Sequence, residues 1–116
     1  MTQVVKGTIR GLGKRYADGT EPMEIWVTID RACGLPYSNG NRIPIDLQIN
    51  GDHYHAGLRA TVNNAYVWIS PDIKTQDGIS KKLAHVLETA GFKKNDRVLL
   101  ATNGKNIVLT ADLDDE

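Results

Sequence analysis

Asx-Gly pairs recur along the whole chain and constrain its fold more than any other feature. They are Asp18-Gly19, Asn39-Gly40, Asn50-Gly51, Asp77-Gly78 and Asn103-Gly104. Asn, Asp and Gly accept the positive backbone φ angles of tight turns, and two-residue hairpin turns use them most. Turns at such intervals leave room for short strands. The chain of 116 residues is therefore expected to fold as one mainly-β domain.

Alternating apolar and polar residues predict two strands near the N-terminus. Residues 4–11 alternate, with Lys6 and Arg10 on the polar face, and residues 23–30 alternate in the same way. The segment between them, 13–22, is polar and is interpreted as a loop that can reach a partner.

Two successive hairpins are predicted in the middle of the chain. If Asn50-Gly51 and Asn63-Asn64 are two-residue turns, Leu47 lies opposite Tyr54 and Leu58 lies opposite Ile69 on the core face. The outer face then collects hydrogen-bonding and aromatic groups. These are Asp46, Gln48, His53, His55, Arg59, Thr61, Tyr66 and Trp68.

One α-helix is predicted near residues 78–91, with Gly91 as its C-terminal cap. Its apolar residues at helical spacing are Ile79, Leu83, Val86, Leu87 and Ala90. Lys81, Lys82 and His85 fall on the solvated side.

A terminal hairpin turns at Asn103-Gly104. The expected architecture is a small closed or partly open β-barrel (pseudobarrel) of about seven strands and one helix. Residues 1–112 form this single domain, and 113–116 form an acidic tail.

Composition excludes several classes of protein. The single cysteine, Cys33, excludes a disulfide framework within the chain and a multi-cysteine zinc site, and it fits a reducing compartment. No apolar run approaches the ~18 residues of a membrane span, and the N-terminus lacks the apolar stretch of a signal peptide. We therefore expect a cytoplasmic protein that does not bind membranes.

The segment 92–98, FKKNDRV, resembles the closing motif of a group of related pseudobarrels. The group includes the plant-type B-three DNA-binding domain with its restriction-endonuclease relatives, the swapped-hairpin transcription regulators, and a bacterial small-barrel family of unknown function. Asn95 stands where these families commonly have Gly, and Asn is well suited to replace Gly in a left-handed turn. Residues 42–111 resemble the unknown-function family most closely. The resemblance implies a barrel whose loops or hairpin engage a partner, frequently DNA.

Catalytic and metal sites have weaker support. His53 and His55 project from one face near Asp46, which permits a His-x-His metal site, but an Asp-His contact on a solvated hairpin is favoured because no fourth ligand is evident. Cys33 has no neighbouring histidine to activate it, so a structural role is favoured over a nucleophilic one. Serine-elbow, phosphate-loop and dinucleotide motifs are absent. We expect neither an enzyme nor a bound cofactor or metal.

Nucleic-acid binding is the leading hypothesis despite a formal net charge of zero. The chain has fourteen Lys and Arg against fourteen Asp and Glu, and a cationic surplus remains if four C-terminal acids stay in a solvated tail. Those acids are Asp112, Asp114, Asp115 and Glu116. Cations and aromatics on the outer face and in the loop can then form a track for the phosphates of double-stranded DNA. The predicted DNA-binding residues are Lys6, Arg10, Lys14, Arg15, Arg42, His53, His55, Arg59 and Trp68.

Two alternatives remain open for the same face. Trp26, Tyr66 and Trp68 could anchor a protein partner, a second copy of the chain or a small ligand. The face could also be an ordinary solvated sheet surface whose aromatics lie beneath a loop or the helix. Arg59 opposite Trp68 allows cation–π stacking.

Overall fold

Nine strands and one α-helix make up the part of the chain that the computed structural model describes, residues 3–32, 34–61 and 65–112. The strands are β1 Gln3–Gly11, β2 Met23–Thr28, β3 Arg42–Ile49, β4 Asp52–Ala60, β5 Tyr66–Ile69, β6 Asp72–Thr75, β7 Ser80–Lys82, β8 Arg97–Asn103 and β9 Asn106–Ala111. The helix α1 spans Leu83–Thr89, and a short 3-10 turn covers Ile29–Arg31. Cys33, the Asn63-Asn64 turn and the tail 113–116 lie outside the described residues.

Seven of the strands close into a barrel, which confirms the predicted fold class. Their order is β3-β9-β8-β1-β2-β5-β4, and β4 pairs back with β3. All neighbouring strands in this barrel are antiparallel except β3 and β9, which run parallel. The strands β6 and β7 form a hairpin that joins the barrel through β4.

The strand registers place the apolar residues inside the barrel. Leu47 lies opposite Tyr54 and Leu58 opposite Ile69, as the turn spacing predicts. A shift of either strand pairing by one residue would turn all of that strand's apolar side chains to the solvent face. The most deeply buried large side chains of the core include Ile9, Ile25, Leu47, Ile49, Leu58, Val67, Ile69, Ile73, Leu83, Leu87, Leu100 and Ile107.

Residues with a left-handed backbone conformation lie where the turns require them. Asn50 and Gly51 have φ angles of 53° and 87°, so the first middle hairpin has its predicted turn. Asn95 has a φ of 75°, which confirms the left-handed conformation expected at that position. Gly91 follows the helix with a φ of 93°, as a C-terminal glycine does.

The helix begins later than the sequence pattern predicts. The Asp77-Gly78 turn folds the chain into a β-hairpin, in which Ser80 pairs with Lys74, and α1 starts only at Leu83. Ile79, predicted on the packing face of the helix, is 58% exposed. The helix buries Leu83, Ala84 and Leu87.

Within the described residues, no helix has the length and apolar character needed to cross a membrane.

Candidate functional site

A row of directly paired residues crosses the outer face of the barrel over six strands. In order from β8 to β3, its members are Arg97, Thr8, Trp26, Trp68, Arg59 and Arg42. We call these six residues the outer row. The arginines are exposed, whereas Thr8 and the two tryptophans are half-buried. Aromatic rings therefore occupy the middle of the row, and cations occupy its ends.

A cavity opens beside the outer row where β4 changes partners. Residues 58–60 of β4 pair with β5, whereas Tyr54 and His55 pair with β6. Between these pairings the Ser70 N–H donates to the Gly57 carbonyl at 2.9 Å, and the Ser70-Pro71 link carries the chain from β5 to β6. Because proline has no N–H, the ladder cannot continue through it. This fork of β4 encloses a cavity of about 560 Å³.

Cationic side chains dominate the wall of the fork cavity. Arg42, Arg59, Lys74, Lys81 and Lys82 line it, together with two carboxylates, Glu24 and Asp72. The Lys82 Nζ donates to Asp72 Oδ1 at 2.8 Å, so these two opposite charges offset each other. The cavity is left with a cationic surplus.

Arg42 and Arg59 face each other across β3 and β4. Neither makes an ion pair with a described carboxylate. Like charges directly opposite in a sheet are destabilising. The pair therefore places two positive charges side by side without a direct ion-pair partner among the described residues.

Gly57 allows the Arg42 side chain to cross β4 toward the cavity. The Cζ of Arg42 lies 2.6 Å from the point that a Cβ of residue 57 would occupy, and the Nε lies closer still. Any side chain at position 57 would therefore push the guanidinium away. Glycine is needed here for close approach, since its φ is not in the left-handed region.

Ser70 lies on the same wall, and its hydroxyl lacks a partner. Ser70 is only 9% exposed, and its Oγ has no hydrogen-bond partner among the described residues. A buried hydroxyl without a partner costs about 1–3 kcal/mol. Because the Oγ is closed off from solvent, a ligand in the cavity does not reach it in this structure.

The Trp26 ring is enclosed by its neighbours. Tyr66 stacks on it with centroids 3.8 Å apart and planes 12° apart, and the Cζ of Arg10 lies 5.0 Å from the ring centroid. The registers place Arg10 on the Glu24 side of the tryptophan and Tyr66 on the Thr28 side. The indole N–H of Trp26 also donates to Glu24 Oε1 at 2.8 Å. Trp26 therefore helps to build the surface and has little free area for a partner.

Trp68 is the aromatic residue that lines the fork cavity. Its ring is tilted by 59° against Tyr66, with centroids 5.7 Å apart. The predicted stacking of Arg59 on Trp68 is not formed: in the described part of the chain, cations lie over the rings of Trp26 and Tyr16. The face of Trp68 is thus not covered by the guanidinium of its cross-strand neighbour.

Glu24 shares the cavity wall with Trp68. Burial raises the pKa of the Glu24 carboxyl above its ordinary value, and the hydrogen bond from Trp26 opposes that shift. A carboxylate at this end of the cavity repels anions and accepts hydrogen bonds from donors. The cavity is therefore cationic around Arg42 and Arg59 and acceptor-rich near Glu24.

Lys6 belongs to a second and smaller cavity, of about 170 Å³, on the other side of Trp26. Arg31, Arg97 and Asp112 also line it. The prediction that Asp112 belongs to a solvated acidic tail is wrong: its N–H donates to the Arg97 carbonyl, and its side chain lines this cavity. The cationic surplus of the body is correspondingly smaller.

The two histidines of β4 have different surroundings. The Nδ1 of His53 lies 2.9 Å from Asp46 Oδ2, although the cross-strand neighbour of Asp46 is His55. His55 lines the fork cavity. No cluster of three or more His, Cys, Asp or Glu side chains suited to a metal is formed by the residues that the structure describes.

Lys14 and Arg15 lie in the loop 12–22, which packs toward the helix. The Arg15 Nη1 donates to the Gly19 carbonyl at 2.7 Å, so its guanidinium holds the loop together. The structure thus brings together Arg42, His55, Arg59 and Trp68 from the predicted set. Lys14 and Arg15 do not line the fork cavity, although Tyr16 of the same loop contacts Lys82 of its wall. Lys6 and Arg10 lie near Trp26.

The loop 12–22 is held against the rest of the molecule by side-chain contacts. Glu21 accepts hydrogen bonds from the Lys94 Nζ at 3.0 Å and from the Gly13 N–H at 2.8 Å. The hydrogen bond from Lys94 contributes most to lowering the pKa of Glu21. Asp18 Oδ2 lies 3.1 Å from His85 Nε2. Contacts within the protein therefore account for most of the charged side chains of the loop.

Nine residues that line the fork cavity were not predicted as site residues. They are Glu24, Ser70, Pro71, Asp72, Ile73, Lys74, Ser80, Lys81 and Lys82. Lys81 and Lys82 were predicted on the solvated side of the helix, but both lie on β7. The Asp77-Gly78 pair is a strong hairpin signal, and pairing residues 72–75 with 80–82 across it would have placed the lysines correctly. No local pattern marks Ser70 or Glu24.

No protein-family model, curated protein or solved structure matches this chain.

Proposed function

We propose that the fork cavity and the part of the outer row that lines it, Arg42, Arg59 and Trp68, bind double-stranded DNA, and that the protein is a non-catalytic recognition module. One observation carries the proposal: Arg42 and Arg59 lie opposite each other without an ion-pair partner among the described residues, beside Trp68. Phosphates supply the missing negative charge, and arginine is well suited to bind them through two parallel hydrogen bonds.

The closure of the barrel decides which part of the outer row one duplex can contact. The row follows six of the seven barrel strands and so wraps most of the way round the molecule. Arg97 therefore does not face the same side as Arg42 and Arg59. The part that supports a duplex partner is the cluster of Arg42, Arg59 and Trp68, together with the lysines that line the same cavity.

The alternative of a protein partner or homodimer through Trp26, Tyr66 and Trp68 has less support. All three rings are half-buried, and Trp26 is covered by Tyr66 and Arg10. The large apolar side chains that are exposed in the described structure are Val4, Leu12, Ile29, Ile79 and Val108. The aromatic residues therefore offer little of the free apolar area that anchors a protein interface.

The resemblance to DNA-binding pseudobarrels favours a biological setting for this activity. We propose that the barrel is the target-recognition part of a restriction or regulatory system. Its cytoplasmic location stays a prediction from composition.

The duplex proposal can be tested by fluorescence anisotropy with a labelled duplex of random sequence. Binding should be tightest near 50 mM salt and should weaken steeply toward about 200 mM, as phosphate contacts require. Arg59→Ala should reduce the affinity by roughly tenfold and lower the magnitude of the salt slope by about 1.

Lys105→Ala is the matched control. Lys105 is an exposed cation in the turn between β8 and β9, and it should not alter the affinity. The proposal fails if the wild-type protein does not bind the duplex at low salt, or if Arg59→Ala binds as the wild type does.

A further inference from the structure

The fork cavity is large enough to hold a small molecule. Its volume of about 560 Å³ lies within the range of roughly 300–1,000 Å³ that is usual for small-ligand sites. Arg42, Arg59 and Trp68 of the outer row line it, so the cavity places cations and an aromatic ring around one ligand.

The charges of the cavity fit a terminal phosphate better than a phosphate inside a strand. A phosphodiester carries one negative charge, whereas a phosphate monoester carries about −1.5 to −2 at pH 7. Arg42 and Arg59 bring two adjacent positive charges, and Lys74 lines the same wall without an ion pair in the described structure. The Arg42 guanidinium lies over Gly57.

The other end of the cavity suits a nucleobase and a sugar. Trp68 offers an aromatic face, and stacking of a base on such a ring is tolerant of base identity. Glu24 accepts hydrogen bonds from amino or hydroxyl groups, and its charge repels the phosphate. Together these groups set the direction of the ligand, with the phosphate toward Arg42 and Arg59.

We propose that the fork cavity binds one nucleotide with a terminal phosphate, which Arg42 and Arg59 bind while Trp68 stacks on the base. The nucleotide can be a free nucleoside monophosphate or the 5′-phosphorylated end of a strand, because both present the same groups. The second source rests on the proposed function, whereas the first does not.

A nuclear magnetic resonance titration of the whole chain tests the proposal with adenosine 5′-monophosphate, adenosine and inorganic phosphate. The monophosphate should give saturable shifts of the Gly57 and Ser70 amides and of the Trp68 indole. Adenosine and inorganic phosphate should each bind about tenfold more weakly or worse, because each lacks half of the recognised groups. Absence of saturable binding of the monophosphate at millimolar concentration would overturn the proposal, and so would equal binding of either fragment.

Two variants locate the site. Gly57→Ala should displace the Arg42 side chain and weaken monophosphate binding by roughly tenfold, as Arg42→Ala should, while the control Lys105→Ala binds normally. If Gly57→Ala does not fold, Arg42→Ala alone tests the site. Unchanged monophosphate binding in both variants would overturn the proposal.

Duplexes with 5′-phosphorylated or 5′-hydroxyl ends distinguish the two sources. If the monophosphate competes with the 5′-phosphorylated duplex but not with the 5′-hydroxyl duplex, the site binds the ends of strands. If the protein binds both duplexes equally well and still binds the monophosphate, the site binds a free nucleotide. If the wild type binds duplex DNA through Arg59 but does not bind the monophosphate, the duplex proposal stands and the nucleotide proposal fails.

Discussion

The loop 12–22 and the fork of β4 are both rich in charged residues, and they use them in opposite ways. In the loop, Arg15 bonds to the Gly19 carbonyl, Asp18 contacts His85, and Glu21 accepts hydrogen bonds from Lys94 and a backbone N–H. At the fork, Arg42 and Arg59 face each other with no carboxylate partner in the described chain. Charges that are satisfied within the protein explain the fold, whereas charges that are not indicate a partner.

The largest expected effect comes from reversing the charges at the fork. The double substitution Arg42→Glu with Arg59→Glu removes two phosphate contacts and adds repulsion, so duplex binding should disappear near 50 mM salt. The same change of net charge in the loop, Lys14→Glu with Arg15→Glu, is the control. Anisotropy titrations should show clearly tighter binding for the loop variant. Equal losses would mean that only net charge matters, and the distinction between the two regions would fail.

A smaller effect is expected from Arg10→Gln. The substitution removes the guanidinium over Trp26 and should lower the free energy of unfolding by about 0.5–1 kcal/mol. Duplex affinity should change less than in Arg59→Ala, because Arg10 already has an aromatic partner. Urea unfolding and anisotropy measure the two quantities. If Arg10→Gln loses as much duplex affinity as Arg59→Ala and keeps its stability, Arg10 is itself a DNA-binding residue.

Arg59→Gln should have the opposite effect on stability. Removing one of two like charges that face each other should raise the free energy of unfolding by roughly 0.2–1 kcal/mol, while duplex affinity falls. Arg15→Gln, which removes a hydrogen bond within the loop, should not be stabilising. Thermal melts of both variants test this difference in sign, and a destabilised Arg59→Gln protein would contradict the repulsion between Arg42 and Arg59.

The smallest expected effect is a pH dependence at Glu21. Its pKa is lowered in the folded protein from an ordinary value of 4.5, chiefly by the hydrogen bond from Lys94. The unfolded chain therefore takes up the proton first as the pH falls. The stabilisation by Glu21 is present above its ordinary pKa and is lost as the pH drops through the lowered one.

Urea unfolding of the wild type and of Glu21→Gln between pH 6 and pH 3 measures this contribution. The wild type should lose more stability on acidification than the variant, and duplex binding at neutral pH should be the same for both. Parallel pH profiles would show that the contacts of Glu21 contribute nothing to folding.

Local sequence patterns were sufficient to predict most of the barrel. Alternation assigned the faces of the strands, and the two-residue Asn50-Gly51 turn set the pairing of Leu47 with Tyr54. The parallel pairing of β3 with β9, which closes the barrel, was not predictable in this way, because it joins residues that are distant in sequence. The late start of the helix was missed because helical spacing at Ile79 was given more weight than the hairpin signal of Asp77-Gly78.

The site was predictable only in part. Strand faces and register placed Arg59 beside Trp68 and Arg42 on the same surface. The cavity itself depends on three features of tertiary structure: the change of partners along β4, the close approach of Arg42 to Gly57, and the burial of the Ser70 hydroxyl. None of these has a signature in the local sequence.

The most direct test of the contrast between loop and fork is a nuclear magnetic resonance titration with duplex DNA near 50 mM salt. We expect large shifts for Gly57, Ser70 and the Trp68 indole, with little change at Gly19 and Glu21 in the loop. Shifts confined to the loop, or no saturable shifts at all, would contradict it.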